Sequence, residues 1–353
     1  MRITLELKLI LAMSSSVAVV FVAILILCFR RRRREHKSEA ALEKGELEEP
    51  EEENLMVFNG GNDLTIFDIL EAPGEVIGKS NYGTLYRAHL RRTDWTGLLR
   101  FLRPICTSNV EDFNGAVRLL GDLRNPHLVP LLGFYAGPRG EKLLVHPYFK
   151  RGNLSQLIRE GDATWRKWGV VFQISLGIVE GLDFLHTGYQ RVVIHGNLKS
   201  KNVFLNEDNE PLLSDFGIYM LLNSSAGQEM LEVAACEGYK APELMKLKDA
   251  NEKSDVFSLG VILLELLSGR QSYNENPSPD EDSYLLAFME KAVLHGRLRD
   301  VYHPDLLGDS DVAVEERVIR FFELAMSCCA QSPGRRPTTR QILSRLHEIG
   351  RRS

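Results

Sequence analysis

The chain has 353 residues, of which 44% are hydrophobic and 26% charged, a composition typical of folded rather than disordered proteins. Its formal net charge of −5 is small and unevenly distributed, so charge gives no indication of a nucleic-acid partner. The five cysteines are an odd number without the spacing of metal ligands, which favours free thiols in a reducing compartment.

An uncharged and mostly apolar stretch runs from Leu9 to Phe29, long enough to cross a hydrocarbon layer of ~30 Å as one helix. The alternative is a cleaved signal peptide, but the stretch is longer than such peptides usually are and no small-residue cleavage site follows it. The arginines at 30–34 place the C-terminal bulk in the cytosol by the positive-inside rule. We therefore predict a short extracytosolic segment (1–8), a single transmembrane helix (9–29) and a plasma-membrane location.

Residues 30–54 are predicted to be a juxtamembrane linker, basic at first and then acidic. The Glu-rich part has almost no apolar side chains and cannot bury enough surface to offset the entropy of ordering. The segment 1–8 is too short for a ligand-binding ectodomain, unless the natural protein has a longer N-terminus. Globular composition starts near residue 55 and continues to about 350.

The globular region opens with VIGKSNYGTLY at 76–86, two strand-like runs joined by a turn that carries Gly78, Ser80 and Gly83. A further strand-like run, LLRFL at 98–102, contains Leu98 and Arg100. Taken alone, the glycine turn is a weak motif for phosphate binding.

Residues 111–124 carry apolar side chains at a spacing near 3.6, which predicts an amphipathic helix with Ala116 in its middle. EKLLVHPYFKRGNLSQLIR at 141–159 reads as a strand, a connection and a short helix, and it contains His146 and Phe149. A long periodic helix is predicted from Trp165 to His186.

The second half of the chain carries five short motifs. They are HGNLKSKN at 195–202, SDFG at 214–217, CEGYKAPE at 236–243, KSDVFSLGVILLELLSG at 253–269 and SPGRRPTT at 332–339. The fourth is strongly apolar and predicts a buried helix.

The first two of these motifs resemble, in residues and spacing, the catalytic loop and metal-binding segment of eukaryotic protein kinases. The phrases NGGNDLTIFDIL, LVPLLGFY, SDVFSLGVILLELLSGR and SPGRRPT closely resemble plant receptor-like kinases of the leucine-rich-repeat type, and the likeness covers residues 55–350. The resemblance implies an α+β, bilobal protein-kinase-like fold, with a small β-rich N-lobe (about 55–148) and a large helical C-lobe (about 149–350).

The resemblance assigns a role to each motif residue. Gly78, Ser80 and Gly83 cover the phosphates, Leu98 roofs the adenine pocket, Arg100 contacts the phosphates and Phe149 offers the hinge N–H. Asn197 stands at the catalytic base, Lys199 is the catalytic-loop lysine, Asn202 and Asp215 bind Mg²⁺, and Glu243, Asp255 and Arg336 hold the scaffold. His146 falls at the back of the nucleotide pocket, where a packed neutral imidazole is expected rather than the alternative of a proton-responsive group. Residues 218–235 stand at the activation segment of the family and are expected to form a polar, exposed loop.

Several of these positions depart from the family pattern. Asn197 replaces the Asp whose carboxylate accepts the substrate proton, and an amide has no titration near neutrality. Arg100 replaces the strand lysine, and a planar guanidinium does not substitute for a compact ammonium. Ala116, or Arg118 if the alignment slips by two residues, stands where the helix carries the Glu that pairs with this lysine. Gly196 replaces the Arg before the base, and Ser80 replaces a glycine.

The scaffold positions therefore match the family, whereas the positions that move a phosphate are altered. We predict a membrane-anchored, catalytically impaired pseudokinase that acts as a scaffold or allosteric partner of membrane receptor kinases or cytosolic signalling proteins. ATP with Mg²⁺ is expected to bind weakly at most. The alternatives are an unorthodox, weakly active Ser/Thr kinase that transfers phosphate from ATP, and a truncated product without function.

Overall fold

A six-stranded antiparallel sheet forms most of the N-terminal lobe in the computed structural model, which describes residues 54–161, 163–189, 191–277, 282–308 and 312–351. Its strands are β1 (Leu55–Val57), β2 (Gly74–Ser80), β3 (Gly83–Leu90), β4 (Trp95–Leu102), β5 (Gly133–Ala136) and β6 (Lys142–Pro147). The order across the sheet is β1-β5-β6-β4-β3-β2. Strands β2, β3 and β4 thus form successive hairpins, and the turn between β2 and β3 carries the glycine motif.

Two helices pack against this sheet. The short helix α1 (Ile66–Leu70) begins with a capping box formed by Thr65 and Asp68, and it buries Ile66 and Ile69 in a small outer core. These two apolar residues are three positions apart and therefore lie on the same face of the helix.

Helix α2 (Val110–Asp122) confirms the amphipathic helix predicted at 111–124. It begins where the side-chain oxygen of Asn109 accepts a hydrogen bond from the backbone N–H of Asp112 at 2.9 Å. The buried face consists of Phe113, Ala116, Val117, Leu120 and Gly121. The helix therefore presents a face without a carboxylate to the interior of the lobe.

The C-terminal lobe is mainly helical, with one small hairpin. Its helices are α3 (Leu154–Glu160), α4 (Trp168–Asp183), α5 (Ser224–Cys236), α6 (Glu252–Ser268), α7 (Leu285–Leu294), α8 (Val312–Cys328) and α9 (Thr339–Gly350), and its strands are β7 (Val203–Leu205) and β8 (Pro211–Leu213). Helix α6 is buried on nearly all sides, as its apolar sequence predicts, and α4, α7 and α8 pack around it. This architecture confirms the predicted bilobal fold.

One stretch in the described part of the chain, Trp168–Gly188, is long and apolar enough to cross a membrane. More than half of its most apolar window is buried inside the C-terminal lobe, so its composition is that of a core helix. The predicted transmembrane helix at 9–29 and the linker that follows it, up to position 53, lie outside the described residues. Both remain predictions.

Candidate functional site

A cleft of about 660 Å³ separates the two lobes. The structure brings most of the predicted site residues to its wall, namely Gly78, Ser80, Gly83, Arg100, Phe149, Asn197, Lys199, Asn202 and Asp215. Leu98 is not among these lining residues, and its side chain is only 3% exposed. Its role at the adenine pocket stays a prediction.

The glycine turn is closed by its own residues. Ser80 pairs with Gly83 across the hairpin, and its hydroxyl donates to the carbonyl oxygen of Gly83 at 3.3 Å. Gly83 has no room for a side chain, since an added Cβ would lie 2.4 Å from the carbonyl oxygen of Phe101. The serine hydroxyl therefore stabilises the turn, at a position where the family keeps glycine so that backbone can approach phosphate.

Tyr82, at the tip of this turn, is buried beneath it and faces Arg100. Burial, together with the negative charge of Asp215, raises the pKa of the Tyr82 hydroxyl. A buried tyrosine here takes up space at the phosphate end of the cleft. Sequence reasoning missed it, although an aromatic residue between the two halves of a glycine turn is visible in the printed sequence.

Arg100 forms a buried ion pair with Asp215. The distance between Nη2 of Arg100 and Oδ1 of Asp215 is 2.7 Å, and the two side chains are 13% and 9% exposed. Burial disfavours the charge of Arg100, but the Asp215 carboxylate and the Tyr82 hydroxyl together outweigh burial, and the pKa of the guanidinium is raised. Arg100, the cation on strand β4, is thus paired with the carboxylate that binds Mg²⁺ in other members of the family.

The partner that kinases provide for the strand cation does not occur at the matching place on helix α2. Ala116 lies there, buried in the lobe, and the acidic residues of this helix are at its two ends, Glu111 and Asp112 at the start and Asp122 at the finish. Because no carboxylate of α2 reaches the interior, Arg100 pairs with Asp215 from the other lobe instead.

The adenine end of the cleft is narrowed by two aromatic rings. Phe149, after β6, stacks on Phe204 of β7 with ring centroids 5.7 Å apart and an angle of 27° between the rings. Phe204 was not among the predicted site residues, although its position two residues after Asn202 could have indicated it. His146 lies behind the cleft, where its Nδ1 is 3.0 Å from the carbonyl oxygen of Pro130 and loss of solvation lowers its pKa to about 4.

The catalytic loop keeps its fold without its base. The carboxylate of Asp255 accepts hydrogen bonds from the backbone N–H groups of His195 (2.7 Å) and Gly196 (2.9 Å). Asn202 donates from its amide to the backbone oxygen of Asn197 at 2.8 Å. The side-chain oxygen of Asn197 is buried without a hydrogen-bond partner in the described structure.

Lys199, at the cleft wall, forms an ion pair with Glu237. Its Nζ lies 2.8 Å from Oε2 of Glu237, while Lys201 contacts the other carboxylate oxygen at 2.7 Å. Burial opposes ionisation of Glu237, but the two ammonium groups prevail and lower its pKa. Glu237 was not predicted to belong to the site, and its spacing along the sequence gives no sign of this contact.

The predicted scaffold pair is present. Arg336 donates two hydrogen bonds of 2.7 Å to the two carboxylate oxygens of Glu243, and its guanidinium is fully buried. A further hydrogen bond of 2.9 Å reaches the backbone oxygen of Lys253 at the start of α6. This bidentate pair ties the end of the activation segment to the C-terminal lobe.

The activation segment differs from the sequence-based expectation of a polar, exposed loop over 218–235. A helical turn covers Ile218–Leu221, and helix α5 covers Ser224–Cys236. The reason is amphipathic spacing: Ala226, Met230 and Leu231 are buried, whereas the polar residues between them face solvent. Ser224 and Ser225 are exposed, but in the first turn of a helix.

The Mg²⁺-ligand positions of the family are only partly free in the arrangement described. Oδ1 of Asp215 is paired with Arg100, Tyr82 is buried next to Arg100, and the Phe149–Phe204 stack lines the cleft. A bound Mg²⁺ needs carboxylate oxygens that are free to coordinate it.

The protein kinase domain family matches residues 72–347, so the chain belongs to the protein kinase family. More narrowly, it is a homologue of plant receptor-like kinases. It is 36% identical over 323 residues to the kinase-like protein TMKL1 of Arabidopsis thaliana, with 88% of this chain and 47% of the relative covered. It is 32% identical over 297 residues to "Probable inactive receptor kinase RLK902" of the same plant, with 82% and 44% covered.

Two solved structures support the same assignment. The kinase domain of maize sucrose-induced receptor kinase 1 bound to AMP-PNP aligns with a TM-score of 0.74 at 27% identity, covering 84% of this chain and all of that one (100%). The pseudokinase domain of BIR2 aligns with a TM-score of 0.64 at 27% identity, covering 82% and 83%. The chain spans about half or less of the length of the curated relatives it matches, 47% and 37% of the first two.

Proposed function

We propose that this protein is a receptor-like pseudokinase, anchored in the plasma membrane, whose cytosolic domain regulates partners by binding rather than by phosphoryl transfer. The observation that carries the proposal is the 2.7 Å ion pair between Arg100 and Asp215. A strand cation that neutralises the metal-binding carboxylate removes two parts of the phosphoryl-transfer machinery at once, the phosphate contact and the Mg²⁺ site.

The remaining changes act in the same direction. Asn197 cannot accept the proton of an incoming hydroxyl, and loss of a general base lowers rates by about 10² to 10⁴. Ala116 leaves the strand without the helix carboxylate that holds a kinase in its active arrangement. These changes act on one coupled unit, so reversing any single one is not expected to restore turnover.

The proposed role requires a binding surface and a membrane anchor, and it does not require catalysis. Two contacts maintain the shape of the C-terminal lobe. One is the ion pair between Glu243 and Arg336, and the other is formed by Asp255 with the backbone of the catalytic loop. Relatives named as inactive receptor kinases, and the pseudokinase domain of BIR2, support the idea that this shape is useful without catalysis. We infer that the partners are membrane receptor kinases or the cytosolic proteins that signal from them.

The second candidate is a weakly active Ser/Thr kinase. It is favoured by the presence of Lys199, Asn202 and Asp215, and by the AMP-PNP bound to the maize relative. The two candidates differ in nucleotide dependence. A titration of the purified protein with ATP, with and without Mg²⁺, followed by thermal unfolding, separates them: a metal-dependent rise in Tm supports the kinase, and an unchanged Tm supports the pseudokinase.

A further inference from the structure

The first part of the activation segment, a few residues after SDFG, pairs with the loop before helix α2. Leu222 and Thr107 form an antiparallel bridge. The backbone N–H of Ser108 donates to the carbonyl oxygen of Leu221 at 3.0 Å, and the N–H of Asn223 donates to the carbonyl oxygen of Cys106 at 2.9 Å. We call this pairing of residues 105–108 with residues 220–223 the clasp.

The side chain of Asn223 makes two contacts at the clasp, one with helix α5 and one with the loop before helix α2. Its Oδ1 accepts from the backbone N–H of Ala226 at 3.0 Å and thereby caps helix α5. Its Nδ2 donates to the carbonyl oxygen of Ile105 at 2.7 Å. A single amide therefore joins the start of the activation-segment helix to the N-terminal lobe.

The clasp also adjoins helix α2. Asn109, the capping residue of that helix, follows Ser108 directly in the chain. The hydroxyl of Ser108 donates to the carbonyl oxygen of Met220 at 3.4 Å. Because Asn223 belongs to the clasp and Asn109 borders it, the clasp connects the starts of α2 and α5.

Just before the clasp in the chain, the activation segment is anchored by packing against the catalytic loop. Gly196 has a positive φ of 69°, and a Cβ at this position would lie 2.6 Å from Cδ1 of Tyr219. Tyr219 precedes the clasp by one residue. The segment thus rests on the catalytic loop through an aromatic ring, at the place where many kinases use an Arg to hold a phosphorylated residue.

We propose that the clasp holds the activation segment and helix α2 in one fixed arrangement without phosphorylation, with Asn223 as its positioning residue. The segment then presents the surface of helix α5 permanently, and addition of phosphate is not needed to order it. A phosphate on Ser224 or Ser225 would add negative charge to the first turn of α5, where the helix dipole favours it, and so leaves the clasp in place.

The test is hydrogen exchange on the full chain in detergent micelles, with two substitutions that separate the two contacts of Asn223. Asn223→Asp keeps an oxygen that can cap α5 but loses the donor to Ile105. Asn223→Ala loses both. Glu229→Ala, at an exposed position of the same helix, is the matched control.

For Asn223→Asp we expect exchange at residues 106–108 and 221–223 to become about tenfold faster, while residues 227–236 stay protected. For Asn223→Ala both regions should exchange faster, and Glu229→Ala should leave both unchanged. Treatment of the wild-type chain with a phosphatase should not alter protection of α5. Exchange requires neither nucleotide nor turnover, so this result is independent of the proposed loss of catalysis.

Unchanged protection at residues 106–108 in Asn223→Asp would overturn the proposal. Loss of α5 protection after phosphatase treatment would also overturn it, because phosphate would then be what orders the segment. If Asn223→Ala does not fold, Ser108→Ala provides a milder second variant, since it removes only the 3.4 Å hydroxyl contact with Met220. Ser108→Ala should make exchange at the clasp residues a few fold faster. Unchanged exchange rates in both Ser108→Ala and Asn223→Asp would reject the clasp.

Discussion

The ring of Tyr219 lies where a side chain at Gly196 would project. A Cβ at position 196 would lie 2.6 Å from Cδ1 of Tyr219, closer than real Cβ contacts, and the backbone of Gly196 has a φ of 69°. Both facts explain why glycine occupies a place that is Arg in many kinases. The departure from the family pattern at Gly196 is therefore coupled to the packing of Tyr219.

Gly196→Arg should destabilise the protein by about 2 kcal/mol or more, because a non-glycine residue is strained at positive φ and the ring must move. The free energy of unfolding in urea measures this. Gly115→Ala is the matched control: it lies in helix α2, a Cβ there has no described neighbour within 4 Å, and helix propensity predicts a gain of about 0.5–1 kcal/mol. An Arg at 196 tolerated without loss would contradict this account of the packing.

Asp215→Asn should destabilise the folded domain by about 3 kcal/mol, since it leaves the guanidinium of Arg100 buried without a counter-charge. Chemical denaturation is again the measurement. The comparison is Glu316→Gln, which breaks the exposed pair with Arg320 on helix α8 and should change stability by less than about 0.5 kcal/mol. Equal effects of the two substitutions would show that the Arg100–Asp215 pair contributes no more than a surface contact.

No phosphate should be transferred to the protein itself or to generic protein substrates in the presence of Mg²⁺ or Mn²⁺. Asn197→Asp alone should not rescue transfer, because Arg100 still occupies Asp215 and Ala116 still provides no carboxylate. Incorporation of labelled phosphate from ATP measures both. Label uptake that is abolished by Asp215→Ala would contradict the pseudokinase proposal.

The affinity for ATP should be weaker than about 100 μM, equivalent to about 5.5 kcal/mol, and Mg²⁺ should not strengthen it. Calorimetry is the direct measurement. Arg100→Lys combined with Ala116→Glu should improve magnesium-dependent binding by about tenfold or more, since the lysine then has a helix carboxylate and Asp215 is released. Arg100→Lys alone is the control and should not improve it, because without a helix carboxylate the lysine still pairs with Asp215. Single-digit micromolar binding by the wild type would show that the cleft opens for nucleotide.

Glu265, on helix α6, should make stability depend on pH. It is buried among Tyr239, Ser200 and Ser272, and burial raises its pKa from near 4.5 to about 7. The folded state therefore holds the proton more tightly than the unfolded state. This contribution to the free energy of unfolding is fully present below pH 4.5 and is lost as pH rises towards 7.

Glu265→Gln should remove this contribution. Between about pH 5 and 7 the free energy of unfolding of the wild type should fall relative to that of the variant, with a slope of up to about 1.4 kcal/mol per pH unit. Urea titrations at several pH values give the difference, and Glu229→Gln, at an exposed position on helix α5, provides the control. Parallel pH profiles for the wild type and Glu265→Gln would show that folding does not raise the pKa of Glu265.

Sequence reasoning was sufficient where a residue's role follows from its neighbours in the chain. The periodicity of 111–124 and the continuous apolar run of α6 predicted helices that the structure contains, because these patterns are set by burial of one face or of all faces. The contact between Glu243 and Arg336 followed from the resemblance to protein kinases, in which the corresponding two motifs hold such a pair. For the same reason the sequence identified the altered positions Asn197, Arg100 and Gly196.

Tertiary structure alone decided what the altered residues do. The sequence shows an Arg at position 100 but not its partner, because the ion pair with Asp215 joins residues far apart in the chain across two lobes. The stack of Phe149 on Phe204 has the same cause. Helix α5 was expected to be a loop, since its apolar residues are few and become a buried face only when the C-terminal lobe packs against them. Local patterns record which residues must be buried, whereas the partners that bury or neutralise them depend on how the chain brings distant segments together.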